Sequence, residues 1–149
     1  MQVLIRLILV AFVAVSPVYA TGTLTFSNGW INVAPPTVKV LAGYVMIHNQ
    51  GDDPLELLSA QSSAFEKIEF HNTVLTDGVA SMLKQDTISI PAQSAFSFAP
   101  GGMHLMLFNK RLPLNSGDVV IIDFIFSNGK SVPVEFELGR GDGHEHHHH

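Results

Sequence analysis

Val119-Val120-Ile121-Ile122-Asp123-Phe124-Ile125-Phe126, then Ser127-Asn128-Gly129-Lys130, then Ser131-Val132-Pro133-Val134-Glu135-Phe136-Glu137-Leu138 is the stretch from which the fold reads most directly. Residues 123–126 and 132–138 place apolar side chains at alternate positions, as a strand with one face on a core must. Asn128-Gly129 between the two runs is a hairpin signal, because tight hairpin turns need residues that accept positive φ. Pro133 offers no N–H and predicts a strand edge or a bulge at that point. Working outward, β-branched and aromatic runs recur at Gly43–Ile47, Ile68–Phe70, Ala95–Phe98 and His104–Phe108. Turn-forming clusters separate them at 49–54, 76–78, 100–102 and 115–118. No amphipathic helix and no internal repeat is visible. The expectation is an all-β single domain over residues 21–138, a sandwich or a barrel.

The two ends read differently. Met1–Arg6 carries one positive charge, Leu7–Val15 is apolar, and Pro17-Val18-Tyr19-Ala20 supplies a break and a small residue. That order is the pattern of a secretory signal peptide over 1–20, with export to the periplasm and no membrane span after cleavage. The apolar run is short for a spanning helix, which takes roughly 20 apolar residues. Residues 139–149 form a Gly-rich stretch ending in a histidine cluster: His144, His146, His147, His148 and His149. The cluster reads either as a native metal-binding tail or as the remnant of a tag. The formal net charge of −5 argues against nucleic acid and anionic membrane as partners. There is no cysteine, hence no disulfide, no thiolate ligand, and no attachment point for a lipid on an N-terminal cysteine.

Outside the tail the soft and borderline metal ligands are few: His48, His71 and His104, with Met46, Met82, Met103 and Met106. His104 and Met106 are two apart in a strand and so share a face, with Met103 and Leu105 on the other. His71 is expected to end the strand over 68–70, and Met82 to follow a loop over 72–81 that brings it back towards His71. Two thioethers with two imidazoles form a neutral, soft set suited to Cu(I) and ill suited to Mg²⁺ or Ca²⁺. Zinc sites rely on thiolate, imidazole and carboxylate, and blue-copper centres need a thiolate. A His-x-Met pair in a strand is equally compatible with plain packing, since methionine fills cores. Met46 and His48 repeat the i, i+2 arrangement but have no further partners. Met46 reads as core and His48 as a hydrogen-bonded strand residue. Trp30 reads as a core anchor, Glu66 and Glu69 as a solvated strand face, and Asp52, Asp53 and Asp77 as turn formers.

The spacing from His71 through ten residues to Met82, then twenty-one to His104 and one to Met106, resembles the PCuAC family of periplasmic copper chaperones. Trp30, Pro35-Pro36, Ala42-Gly43-Tyr44, Ile47-His48-Asn49 and Gly51-Asp52 are similar to its N-terminal half. Pro100–Leu107 and Pro113–Asp118 are similar to its C-terminal half. The resemblance covers about residues 28–138. It implies a cupredoxin-like β-sandwich with Greek-key connections. It further implies Cu(I) ligation by His71, Met82, His104 and Met106, and delivery of the ion to cytochrome c oxidase subunit II or another copper assembly protein. The family's extra methionines after the first histidine are replaced here by Asn72, Thr73 and Leu75. The ligands are expected at loop ends along one rim, in a monomer, with Cu(II) collected by the tail histidines. No nucleophile elbow, HExxH or P-loop argues for an enzyme. The competing readings are an exported interaction or assembly module and copper buffering for tolerance.

Overall fold

A computed structural model describes residues 24–139; the signal-peptide and histidine-tail expectations lie outside them. Ten strands make up the described chain: β1 Leu24–Ile31, β2 Val40–Asn49, β3 Leu55–Gln61, β4 Phe65–Thr76, β5 Val79–Gln85, β6 Ile88–Ile90, β7 Ser94–Phe98, β8 Met103–Lys110, β9 Val119–Phe126 and β10 Ser131–Leu138. Neighbours run β5-β4-β8-β2-β1-β10-β9-β3-β6, with β7 also on β2. Every pairing is antiparallel except β1 with β10, which touch in parallel only at Trp30–Glu137 and Ile31–Leu138. That seam divides the path into two layers that close on one core. The architecture is the expected all-β, cupredoxin-like sandwich, with crossovers between non-consecutive strands.

Alternation builds the core. β2 buries every second residue along its length, and β9 and β10 do so over most of theirs. Leu105 and Leu107 from one layer meet Phe124, Phe126 and Phe136 from the other, all fully buried. Each such side chain contributes about 1.5–3 kcal/mol when removed from water. Pro133 lies where β10 has lost β1 as a neighbour, the edge its missing N–H requires. The hairpin at 127–130 forms as expected, with Gly129 at φ 80°.

Several expectations change. β1, β3, β5 and β6 carry weak strand signals in sequence. β1 is interrupted by a register shift between Ser27 and Trp30, with Asn28 at φ 55°. The largest correction concerns β4, which continues past residue 70 to Thr76. Asp77 and Gly78 take φ 51° and 78°, the two positive values of a two-residue hairpin turn, and β5 returns directly. Residues 72–81 are therefore not a loop. Trp30 is also not in the core. It lies half-buried against Tyr44 with ring centroids 4.4 Å apart, on the face turned away from the core. Met46 shares that outward face, between buried Val45 and Ile47.

Candidate metal centre

The register of β4 on β8 decides the geometry. His71 stands opposite His104, Glu69 opposite Met106, and Phe70 opposite Leu105. Directly paired residues project to the same side. Phe70 and Leu105 go to the core, so His71, His104, Glu69 and Met106 share the outer face. The imidazole centroids are 6.1 Å apart. The sites lie within strands, not at loop ends on a rim as the sequence led one to expect.

Both rings are shielded. His104 is 5 % exposed, and its Nδ1 donates to Gly102 O at 3.0 Å. A carbonyl only accepts, so in the neutral ring Nε2 keeps its lone pair. The His71 side chain is 13 % exposed, with Nε2 3.0 Å from Glu69 Oε2. Its Nδ1 is buried and has no hydrogen-bond partner. Metal–nitrogen bonds are about 2.0 Å, so one ion bonded to a nitrogen of each ring sets the centroids about 5 Å apart at a tetrahedral angle and about 6 Å apart when the two bonds are in line. The separation of 6.1 Å lies at the in-line end of that range. The thioether of Met106, two residues along β8, belongs to the same patch.

Met82 takes a different position. β5 sets it opposite Thr73, while Lys84 faces His71. Met82 is on the same face but on the opposite flank of the histidine pair from Met106, and it is 59 % exposed. Two strand spacings and four residues of register separate the two methionines, about 16 Å on a flat sheet. His71 and His104 are thus paired, Met106 lies at the next register position of the same face, and Met82 sits apart on the β4–β5 hairpin.

Glu69, expected on a solvated strand face, is instead largely shielded. Its side chain is 15 % exposed and is the hub of the patch, 3.0 Å from Lys67 Nζ and 3.5 Å from Lys84 Nζ besides its contact with His71. The His71 and Lys67 hydrogen bonds hold its carboxyl down to about 2, with the charges of Lys67 and Lys84 acting in the same direction. Lys67 also lies over the Phe108 ring at 4.5 Å. Glu66 is exposed and accepts from Asn109 Nδ2 at 2.8 Å. Among the described residues no three His, Asp or Glu side chains gather in a way that could hold a metal. Met46 and His48 gain no third ligand; His48 Nε2 lies 3.4 Å from Ser27 Oγ.

The fold is a β-sandwich similar to that of PCuAC domains. The copper-bound PCuAC domain from PmoF2 superposes with a TM-score of 0.67 at 22 % identity, over 80 % of this chain and 95 % of that one. The Cu(I) form of DR1885 from Deinococcus radiodurans gives 0.61 at 22 % identity, over 81 % and 78 %. A family described as "Putative lipoprotein LpqE-like" matches residues 24–138, and the chain belongs to this LpqE-like family. Among its curated relatives, the protein of Leifsonia xyli subsp. xyli described as "Putative lipoprotein Lxx21020" is 32 % identical over 109 residues, 72 % of this chain and 64 % of that protein. The uncharacterized protein RP573 of Rickettsia prowazekii is 30 % identical over 116 residues, 73 % and 62 %. The chain thus spans less than two thirds of the length of either relative.

Proposed function

We propose that the protein is an exported Cu(I) carrier whose cargo rests on His71, His104 and Met106, with Met82 as the fourth and most exposed ligand. The observation that carries this reading is the pairing of His71 with His104 at 6.1 Å between ring centroids, beside Met106. A set of neutral nitrogen and sulfur donors leaves the charge of the ion uncompensated and favours the monovalent soft state. The neighbouring folds described as copper-bound point the same way.

Transfer follows from exposure. His71 and His104 are shielded and Met82 is open to solvent, so a recipient's ligand meets the ion from the Met82 side. Met82 is the bond given up first. We infer that the recipient is the copper centre of cytochrome c oxidase subunit II or another copper assembly protein. Export is supported by the lipoprotein descriptions of the family and of one relative, although this sequence has no cysteine on which a lipid could be placed. The chain is proposed to act as a monomer in the periplasm, with the tail histidines collecting Cu(II).

Cu(I) titration against a chromophoric chelator tests the reading, on a chain whose tail residues His144 and His146 to His149 are changed to serine. One equivalent bound tightly, and lost in a His71→Ala/His104→Ala double variant that keeps its β-sheet spectrum, is the expected result. Unchanged affinity in that variant overturns the site.

A further inference from the structure

We infer that Glu69 is a positioning residue for copper, selecting Nδ1 of His71 as the metal-binding nitrogen by holding the proton on Nε2. This deepens the proposed function and rests on it. An ionised carboxylate accepts hydrogen bonds and cannot donate them. With Glu69 Oε2 at 3.0 Å, Nε2 of His71 therefore carries a proton, and in the neutral ring the lone pair is left on Nδ1. That is the buried nitrogen without a partner. His104 shows the complementary choice. Its Nδ1 is engaged by Gly102 O at 3.0 Å, which frees Nε2. One ring presents its near nitrogen and the other its far nitrogen, each fixed from behind by an oxygen acceptor.

The carboxylate is built for this task. It stands two residues before His71 on the same strand and face, and is anchored by Lys67 at 3.0 Å and Lys84 at 3.5 Å. These two lysines compensate its charge, so that the carboxylate stays ionised behind the ring. Spent in this way, Glu69 completes no hard-ligand triad with the two histidines, consistent with the absence of such a group among the described residues. A carboxylate behind a ligating imidazole fixes the ring and raises its basicity. Loss of such a partner typically costs 10–100-fold in metal affinity.

The test reads the ring tautomers first, in the copper-free full chain at pH 8, by long-range proton–nitrogen correlation. The expected result is a proton on Nε2 of His71 and on Nδ1 of His104. Glu69→Ala should shift His71 towards a mixture, leave His104 unchanged, and weaken Cu(I) binding about 10–100-fold. Glu69→Gln, whose amide oxygen still accepts from Nε2, should restore the tautomer and most of the affinity. A His71 proton on Nδ1 in the unaltered chain, or a Glu69→Ala chain with unchanged tautomer and affinity, overturns the inference while copper binding stands. If the unaltered chain shows the expected tautomers but takes up no Cu(I) at the folded face, the copper reading falls and with it the ligand role of Nδ1.

Discussion

His71 on β4 and His104 on β8 stand directly opposite one another, with their ring centroids 6.1 Å apart on the face turned from the core. Register alone brings this about. Two residues 33 positions apart in sequence become nearest cross-strand neighbours, and every other side chain of the patch is placed relative to them. Met106 and Glu69 form the next pair along the same two strands. The site is therefore built on the β4–β8 ladder on one side and on the exposed β4–β5 hairpin on the other.

That asymmetry separates the two methionines. Met106→Leu keeps the side-chain volume and removes the sulfur beside the histidine pair, so Cu(I) affinity should fall at least tenfold, about 1.4 kcal/mol. Met82→Leu should cost less at equilibrium and act mainly on the rate at which the ion passes to an acceptor. Competition titrations and stopped-flow transfer to a chelator measure the two effects. Equal losses in both variants would mean that the β4–β5 hairpin is already folded over the pair.

Glu69 gives the copper-free fold a pH signature. Its carboxyl is held at about 2 in the folded chain, below the ordinary value near 4.5, by the His71 and Lys67 hydrogen bonds and the lysine charges. A depressed folded value stabilises the fold above the ordinary value, and this stabilisation is lost as pH falls from about 4.5 towards 2. Urea titrations across that window should show stability declining more steeply in the unaltered chain than in Glu69→Gln, which has no proton to take up. Parallel declines would assign the acid sensitivity to other carboxylates.

Part of this was legible from residues alone. Alternation at 123–138 forces a half-buried hairpin, and a period of two puts His104 and Met106 on one face whatever the rest of the chain does. The position of Met82 was not legible. It depends on the two-residue turn at Asp77-Gly78, which pairs Thr76 with Val79 and so Thr73, not His71, with Met82. A single residue more in that turn would change the pairing register. Glu69 was illegible for a similar reason. Lys84, one of its two cationic partners, is brought beside it only by the hairpin. Trp30 and Met46 read as core because large apolar side chains usually are, but β2 gives its inward positions to Leu41, Gly43, Val45 and Ile47.

Asn49 is 1 % exposed and closes the end of β2. Its Nδ2 shares its two hydrogens among Asp53 O at 2.9 Å, Pro91 O at 3.1 Å and Ile90 O at 3.3 Å, while its Oδ1 accepts from Gly51 N at 3.0 Å. Asn49→Ala strands these backbone groups away from water, which costs about 1–3 kcal/mol for a buried group left unsatisfied. Chemical denaturation should show a destabilisation of that order, with Cu(I) affinity of the folded fraction unchanged, since the residue is remote from the histidine pair in register.

The seam between the layers is the most demanding point for backbone packing. β1 and β10 meet in parallel for only two residue pairs, and Gly29 lies immediately before them. A Cβ on Gly29 would come within 2.5 Å of Glu135 O and 3.5 Å of the Phe136 ring. The carbonyl belongs to a strand held along its whole length by β9, so it cannot yield alone. Gly29→Ala must push β1 away from β10, loosening Trp30–Glu137 and Ile31–Leu138 together. Overpacking of this kind costs about 1–3 kcal/mol. Thermal unfolding should report the loss. Amide exchange should quicken at Ile31 and Gly139, whose N–H donates to Ile31 O at 3.0 Å, before it quickens in the β4–β8 ladder. Uniform quickening across both layers would show instead that the seam has no weakness of its own and that the sandwich opens only as a whole.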